Sequence, residues 1–318
     1  MKLAVSFLCY EDSSAPYLAE FLASLEIALK QLNDEVFILA GDNSSEEDRR
    51  NEDYIHSYNN AHQTQIKYFD FKKNLGFAAA YNLLIDTALE NEAEYFLMLN
   101  PDIILDSGAI KKMLSALESD RNSAAVCPKI YRWDFRNKQL TKTIDSCGLQ
   151  LKPGLRFYDL GQGELDRGQF DQADIIGPSG AAAMFRLSDL KKIRVKGKFY
   201  DERFFMYKED CDLAYRLRLK HLSTKLIPSS VCYHDRSASK QGGLWQTWLN
   251  WKQRSKSTRS WSFVNQHLLF FKYILLESYY SRFLIILRII FYAFFSLFLE
   301  QFLLKDYIRI NRLINRLD

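Results

Sequence analysis

Residues 2–41, KLAVSFLCYEDSSAPYLAEFLASLEIALKQLNDEVFILAG, decide the fold. KLAVSFLC (2–9) and EVFILAG (35–41) are apolar runs of strand length. Between them APYLAEFLASLEIALKQL (15–32) repeats its apolar residues at helical spacing, with Ser13 or Ser14 placed to cap it. The order continues through a polar loop DNSSEEDRR (42–50), a helix over 47–60, a strand IKYFDF (66–71), a helix from Phe77 to about Glu90 and a buried strand YFLMLN (95–100). Strands alternating with helices predict an α/β fold, a doubly wound and mainly parallel sheet with helices on both faces.

Ligands of such sheets bind in the crevice at the carboxyl ends of the strands, so the polar residues after each strand belong together. These are Tyr10-Glu11-Asp12, Asp42-Asn43, Lys73-Asn74 and Asn100-Pro101-Asp102. In EYFLMLNPDII (94–104) a turn would be served by Pro101 alone, so the carboxylate of Asp102 asks for another reason. Neither G-x-G-x-x-G nor G-x-x-x-x-G-K-[ST] follows any of these strands, which leaves phosphate binding to something other than a dinucleotide fingerprint or a P-loop. A divalent ion on Asp102 is the candidate.

Residues 128–175 alternate less regularly and predict hairpins beside the main sheet, with a turn at Pro153-Gly154. DIIGPSGAAAMFRLSDLKKI (174–193) restores the pattern; its small residues, Gly177 to Ala183, allow close backbone approach, and Ser188 is placed to cap a short helix. In FFMYKEDCDLAYRLR (204–218), Glu209, Asp210 and Asp212 open a helix. Acids in a first turn favour the helix dipole by about 0.3–1 kcal/mol, which alone is one account of them. The aromatic run before them supports another, because partial burial raises a carboxylate's pKa toward that of a useful general base. Arg216 and Arg218 either meet diphosphate charge or pair with these acids. His234 ends the strand-like TKLIPSSVCYH (224–234), and with Asp102 makes an O/N site for Mg²⁺ or Mn²⁺.

At 318 residues and 47% hydrophobic, the chain has material for one sizeable core and an appendage. Its 5 cysteines are widely spaced and form no C-x-x-C pair, which fits a reducing cytosol. The first residues lack the h-region of a signal peptide, so a cytoplasmic location is expected. Charge is divided unevenly: residues 236–318 hold 13 Lys and Arg against 4 Asp and Glu, whereas residues 1–235 hold 30 against 35. The basic part is rich in Trp245, Trp248, Trp251 and Trp261, interleaved with Lys252, Arg254, Lys256 and Arg259. Such a mixture suits an anionic membrane surface better than nucleic acid. The apolar run 283–299 is short for a span and carries Arg288, so a helix lying in the interface is expected. A helical subdomain or dimer contact with its apolar faces buried in protein is the alternative. The expected division is a catalytic domain over 1–240 and a membrane-associating helical region over 241–318.

Taken together, DNSS after the second strand, NLGFAAAYN (74–82), LMLNPD (97–102), GPSGAAAMFR (177–186), FYDERFFMYKEDCDLAYRLR (199–218) and the late His234 resemble the inverting family 2 glycosyltransferases of GT-A fold, and within them the rhamnosyltransferase-like branch. The resemblance spans about residues 1–240. It implies that Asp42 binds the nucleotide base and that Asn74 and Gly76 hold the nucleotide sugar with Asn100. It makes Asp102 the last residue of a D-x-D metal motif completed by His234, Gly180, Ala181 and Glu209 the border of the acceptor pocket, and Asp210 the catalytic base. Two departures stand out: Asn100 replaces the first Asp of D-x-D, and the first strand ends Cys9-Tyr10-Glu11 where Thr-Tyr-Asn or similar is usual.

The implied reaction is a single displacement in which Asp210 deprotonates an acceptor hydroxyl and a nucleoside diphosphate leaves beside Mg²⁺ or Mn²⁺. No G-x-S-x-G elbow or Cys/His pair supplies an enzymic nucleophile. The expected donor is dTDP-rhamnose, with a UDP-hexose as the alternative. The expected acceptor is a lipid-linked or polysaccharide glycan at the inner face of the plasma membrane. A non-catalytic membrane-associated scaffold is the reading from another class, and a homo-oligomer is left open.

Overall fold

The computed structural model of the chain describes residues 2–235 and 251–315. Lys2–Cys9 (β1) pairs in parallel with Glu35–Asp42 (β2), which pairs in parallel with Ile66–Asp70 (β3). Helix α1 (Leu18–Leu29) links the first two strands and α2 (Arg50–Ala61) the next. Helix α3 (Phe77–Glu90) then returns the chain to β4 (Tyr95–Leu99), parallel to β1 on its other side. After β5 (Ile103–Leu105) and α4 (Ala109–Ser119) come the long β6 (Ser123–Asp134) with its hairpin partner β7 (Gln139–Ser146), and then the separate hairpin β8 (Leu149–Lys152) and β9 (Arg156–Asp159). The last strands of the main sheet are β10 (Ala182–Arg186), followed by the short α5 (Leu187–Leu190), and β11 (Ser223–His234), preceded by α6 (Glu209–Leu219). The sheet order is β3-β2-β1-β4-β10-β6-β11-β5, with β7 beside β6.

The first four strands in that order are all parallel, as the alternation of elements requires. Beyond them β10 runs antiparallel to both β4 and β6, and β5 antiparallel to β11. Each face is covered by helices. Leu3, Val5 and Phe7 of β1 pack with Phe21, Leu25, Met113 and Leu117 of α1 and α4; Ala4 and Met98 on the opposite face pack with Tyr81, Leu84 and Ile85 of α3 and Leu217 of α6. A strand apolar on both faces reads as a continuous run, which is why the period-2 signal is weak in KLAVSFLC.

Two capping expectations fail. Helix α1 starts at Leu18 after two 3₁₀ turns and has no side-chain cap. Ser14 is engaged elsewhere: its Oγ accepts from the Tyr10 amide at 2.8 Å and donates to Asn51 Oδ1 at 3.1 Å, tying the strand-end loop to α2. Ser188 lies inside α5, whose N-cap is Arg186, and caps nothing.

Three helices close the described chain: α7 (Lys256–Tyr273), α8 (Tyr279–Phe298) and α9 (Asp306–Ile314). Leu268, Leu269 and Phe270 of α7 and Ile285 of α8 share a core with Phe204 and Tyr215. Of the tryptophans expected at a membrane interface, Trp245 and Trp248 lie outside the described residues. The other two turn onto protein. Trp261 stacks on Phe205 at 4.4 Å with Arg309 3.2 Å over its other face, and Trp251 meets Phe295 edge-on at 5.9 Å. Arg259 and Lys252 both pair with buried Glu300 at 2.7 Å. Arg288 also points inward, donating to the Gly154 carbonyl at 2.6 Å and covering the Phe270 ring at 5.0 Å. The opposite side of α8 is left apolar and bare, with Phe283, Phe291, Phe294 and Phe298 each more than half exposed. This helix is long and apolar enough to cross a membrane by length and composition, and 17% of its most apolar stretch is buried in the protein.

Candidate active site

Two cavities meet at the carboxyl rim of the parallel strands. One, of about 240 Å³, is lined by Tyr10, Asn43, Asn74, Gly76 and Asp102 among others. Its neighbour, of about 290 Å³, is lined by Ser179, Gly180, Ala181, Glu209, Asp210 and His234 among others. Phe77, Asn100 and Met206 belong to both walls. Apart from Asp42, the site residues expected at separate points of the sequence share one cleft.

The first cavity is shaped by the loop before α3. Asn43, at the end of β2, accepts from the Leu75 amide at 3.1 Å and donates to the Gly76 carbonyl at 3.3 Å, while Asn74 Oδ1 accepts from the Gly76 amide at 2.8 Å. Gly76 has φ +79°, and a Cβ there would fall 2.4 Å from the Phe205 carbonyl oxygen. Only glycine relieves both the conformation and the clash. Asp42 is not part of the lining. It is buried, with one oxygen accepting from Tyr68 Oη at 2.8 Å and the other from the Ser44 amide at 2.8 Å.

The pairing of β5 with β11, His234 opposite Ile103, brings Asp102 and His234 together across a long stretch of sequence. His234 Nε2 stands 3.2 Å from Asp102 Oδ2 and Nδ1 stands 2.8 Å from Asp145 Oδ2. Burial alone would lower the imidazole pKa, but the charges of Asp102 and Asp145 and their hydrogen bonds outweigh it and raise it to about 10. The other oxygen of Asp102 is buried without a hydrogen-bond partner. An imidazolium cannot ligate, so a divalent cation here would have to displace the Nε2 proton; it would then meet the bare carboxylate oxygen of Asp102 and an imidazole whose far nitrogen is held by a second carboxylate. Among the described residues no three or more His, Cys, Asp or Glu side chains gather into a metal cage. Two protein donors suit an ion that completes its shell with phosphate oxygens and water. The described lining of the first cavity holds no Lys or Arg.

The opposite wall is the start of α6. Tyr207 and Lys208 both have positive φ, +72° and +68°, and this double left-handed turn swings Glu209 and Asp210 into the cleft. Asp210 Oδ2 lies 3.3 Å from where a Cβ on residue 180 would sit, so Gly180 leaves open the space in front of it. Glu209 is buried; desolvation first and the neighbouring Asp210 second push its carboxyl well above the usual range, and its Oε2 has no partner. The backbone joins the two sides, the Asn100 amide donating to the Ala181 carbonyl at 2.9 Å. Arg216 and Arg218 stay out of the cleft: Arg216 pairs with Asp212 at 2.8 Å and Arg218 lies over the Tyr215 ring.

Sequence reasoning missed Asn43 as the strut of the donor loop, Met206 as shared wall, and Asp145 as the partner of His234. Asn43 was within reach, since it stands in the strand-end motif DNSS. Asp145 was not: it reaches the site because β7 pairs with β6 and β6 with β11, and strand order is not written in any local pattern.

A search of curated proteins found no match to this sequence. Among solved structures, the chain superposes on GalNAc-T7, crystallised with UDP, GalNAc and Mn²⁺, with TM-score 0.56 and 10% identity, covering 84% of this chain and 51% of that one. Staphylococcus aureus TarS is also similar, at TM-score 0.48 and 16% identity over 88% of this chain and 46% of that one. Its segment 1–349 with UDP-GlcNAc gives TM-score 0.49 and 15% identity over 84% and 66%. The chain thus spans about half the length of the two longer structures. The first likeness shows a shared GT-A type fold. The family described as glycosyl transferase family 2 matches residues 8–194, which take in Asn43, Asn74, Gly76, Asn100 and Asp102 of the first cavity and Gly180 and Ala181 of the second, and the chain belongs to that family.

Proposed function

We propose that the protein transfers one sugar, L-rhamnose from dTDP-rhamnose, with inversion onto a hydroxyl of a lipid-linked or polysaccharide acceptor during cell-surface glycan synthesis. The observation that carries this reading is the single cleft with Asp102 and His234 on one wall and Asp210 opposite Gly180 on the other. Asn74 and Gly76 bind the donor, with Asn100 at the junction toward the acceptor. Asp42, with both oxygens engaged by Tyr68 and the Ser44 amide and outside the cavity lining, is left out of this reading. Asp210 removes the proton from the acceptor hydroxyl as its oxygen bonds to the anomeric carbon and the nucleoside diphosphate departs from the other face. Asp102 and His234 would hold Mg²⁺ or Mn²⁺, which offsets the charge that develops on the leaving diphosphate. The Mn²⁺ and UDP bound to GalNAc-T7 support a nucleotide-sugar donor and a divalent ion. The bare face of α8 supports seating on the inner surface of the plasma membrane, where lipid-linked acceptors are presented.

The test is a panel of nucleotide sugars incubated with the protein, Mn²⁺ or Mg²⁺ and an acceptor lipid, with nucleoside diphosphate release measured. Release of dTDP from dTDP-rhamnose is expected. Release of UDP instead would move the donor to a UDP-hexose within the same mechanism, and no release from any donor would overturn both. Asp210→Asn should abolish transfer while leaving donor affinity near normal. A variant that keeps most of its rate would place the base elsewhere.

A further inference from the structure

Two consecutive left-handed residues carrying full side chains are costly, on the order of 1–3 kcal/mol each, and persist only when their surroundings hold them. Tyr207 and Lys208 form such a pair immediately before Glu209 and Asp210. What holds them comes from helix α7, outside the family match over residues 8–194. Asn265 is fully buried, and both hydrogens of its amide are used on this turn: Nδ2 donates to the Met206 carbonyl at 2.8 Å and to the Tyr207 carbonyl at 2.7 Å. Its Oδ1 has no partner. Flipping the amide would aim that oxygen at two carbonyls, so the orientation is fixed by the turn it serves. One helical turn earlier, Trp261 stacks on Phe205, whose carbonyl in turn accepts from the Phe77 amide of the donor loop at 2.7 Å.

We infer that Asn265 is a positioning residue for transfer: by clamping the Met206–Lys208 turn it aims Asp210 at the acceptor hydroxyl. Leaving the amide oxygen of a buried Asn unpaired costs about 1–3 kcal/mol, which the two bonds donated to the turn offset. The inference rests on Asp210 being the base. Met206 lines both cavities, so the clamp also sets the wall where donor and acceptor meet.

The test compares Asn265→Asp, which keeps the volume but loses the donated hydrogens when ionised, with Asn265→Ala. Both are measured by thermal unfolding, by steady-state kinetics with the donor that the panel identifies, and by backbone hydrogen exchange. Exchange in the peptide spanning residues 204–212 should rise while α7 stays protected. The kcat should fall about 10- to 100-fold, the scale of a misplaced reacting group, with donor KM within about threefold. Should Asp210→Asn keep its rate, the base assignment falls and exchange alone judges the clamp. Unchanged exchange in the turn, a donor KM raised with kcat intact, or a rate loss matched by an equal loss of folded protein would each overturn the inference.

Discussion

Asp145 and Gly76 carry separate arguments at the scale of single residues. Asp145 touches one nitrogen of His234 and leaves the other facing Asp102. A carboxylate in that position sets the tautomer and basicity of a ligating imidazole, and losing such a partner typically costs about 10- to 100-fold in metal affinity. Asp145→Asn should therefore raise the Mn²⁺ concentration needed for half-maximal diphosphate release by that factor, read from a metal titration at saturating donor. Gly76→Ala meets φ +79° and a carbonyl 2.4 Å away at once. The loop it closes should open, with donor affinity falling at least about tenfold in a binding titration while α/β secondary structure persists by circular dichroism. Gly76 was legible in NLGFAAAYN because a motif carried it. Asp145 had no motif, and a lone acid on a hairpin strand reads as solvated until strand order is known.

Helix α6 shows what the acids of an element's first turn do. The dipole account of Glu209, Asp210 and Asp212 treats them alike, yet each has a different neighbourhood. Asp212 is buried and accepts from Tyr273 Oη at 2.6 Å, Lys272 Nζ at 2.5 Å and Arg216 Nε at 2.8 Å. Asp210 faces the cleft. Glu209 is buried, desolvation and the Asp210 charge outweigh the neighbouring Lys208, and its raised pKa means the folded state keeps a proton that the unfolded chain releases near its ordinary pKa of about 4.3. Folding stability should then decline as pH rises above that value, by about 1.4 kcal/mol per pH unit from this group, until the folded carboxyl itself ionises. Glu209→Gln should remove that slope, so its unfolding midpoint exceeds that of the native chain at pH 8 by more than at pH 5. Thermal scans at the two pH values check this, and equal differences would refute it. The elements themselves were legible where period and length agreed, as in β1, α1, β2 and α3. The starts of α3 at Phe77 and α6 at Glu209 were legible too, but that of α1 was not, because Ser14, expected as its cap, is tied instead to Asn51, a tertiary partner no local pattern announces.

Over the whole molecule, the basic excess of the last part is partly consumed inside the fold, in Arg259 and Lys252 on Glu300, Arg288 on Gly154 and Lys272 on Asp201 and Asp212. The charge interrupting the apolar run of α8 is therefore turned away from the surface, and the outward face holds a continuous aromatic and aliphatic strip. A strip of that kind on an amphipathic helix binds the headgroup and acyl boundary of a bilayer. Phe291→Lys combined with Phe294→Lys should move the protein from the floating to the soluble fraction in flotation with vesicles containing anionic lipid, without lowering its thermal midpoint; equal flotation would refute the membrane seat. Lys272 reaches back from α7 to Asp201 and Asp212 at 2.7 and 2.5 Å, joining the closing helices to α6, whose first turn carries Asp210. Removing one partner of such a buried cluster costs about 3–5 kcal/mol. The closing helices and α6 therefore form one mechanical unit, so a strain applied to the outward face of α8 has a charged tie by which to reach the turn that carries Asp210.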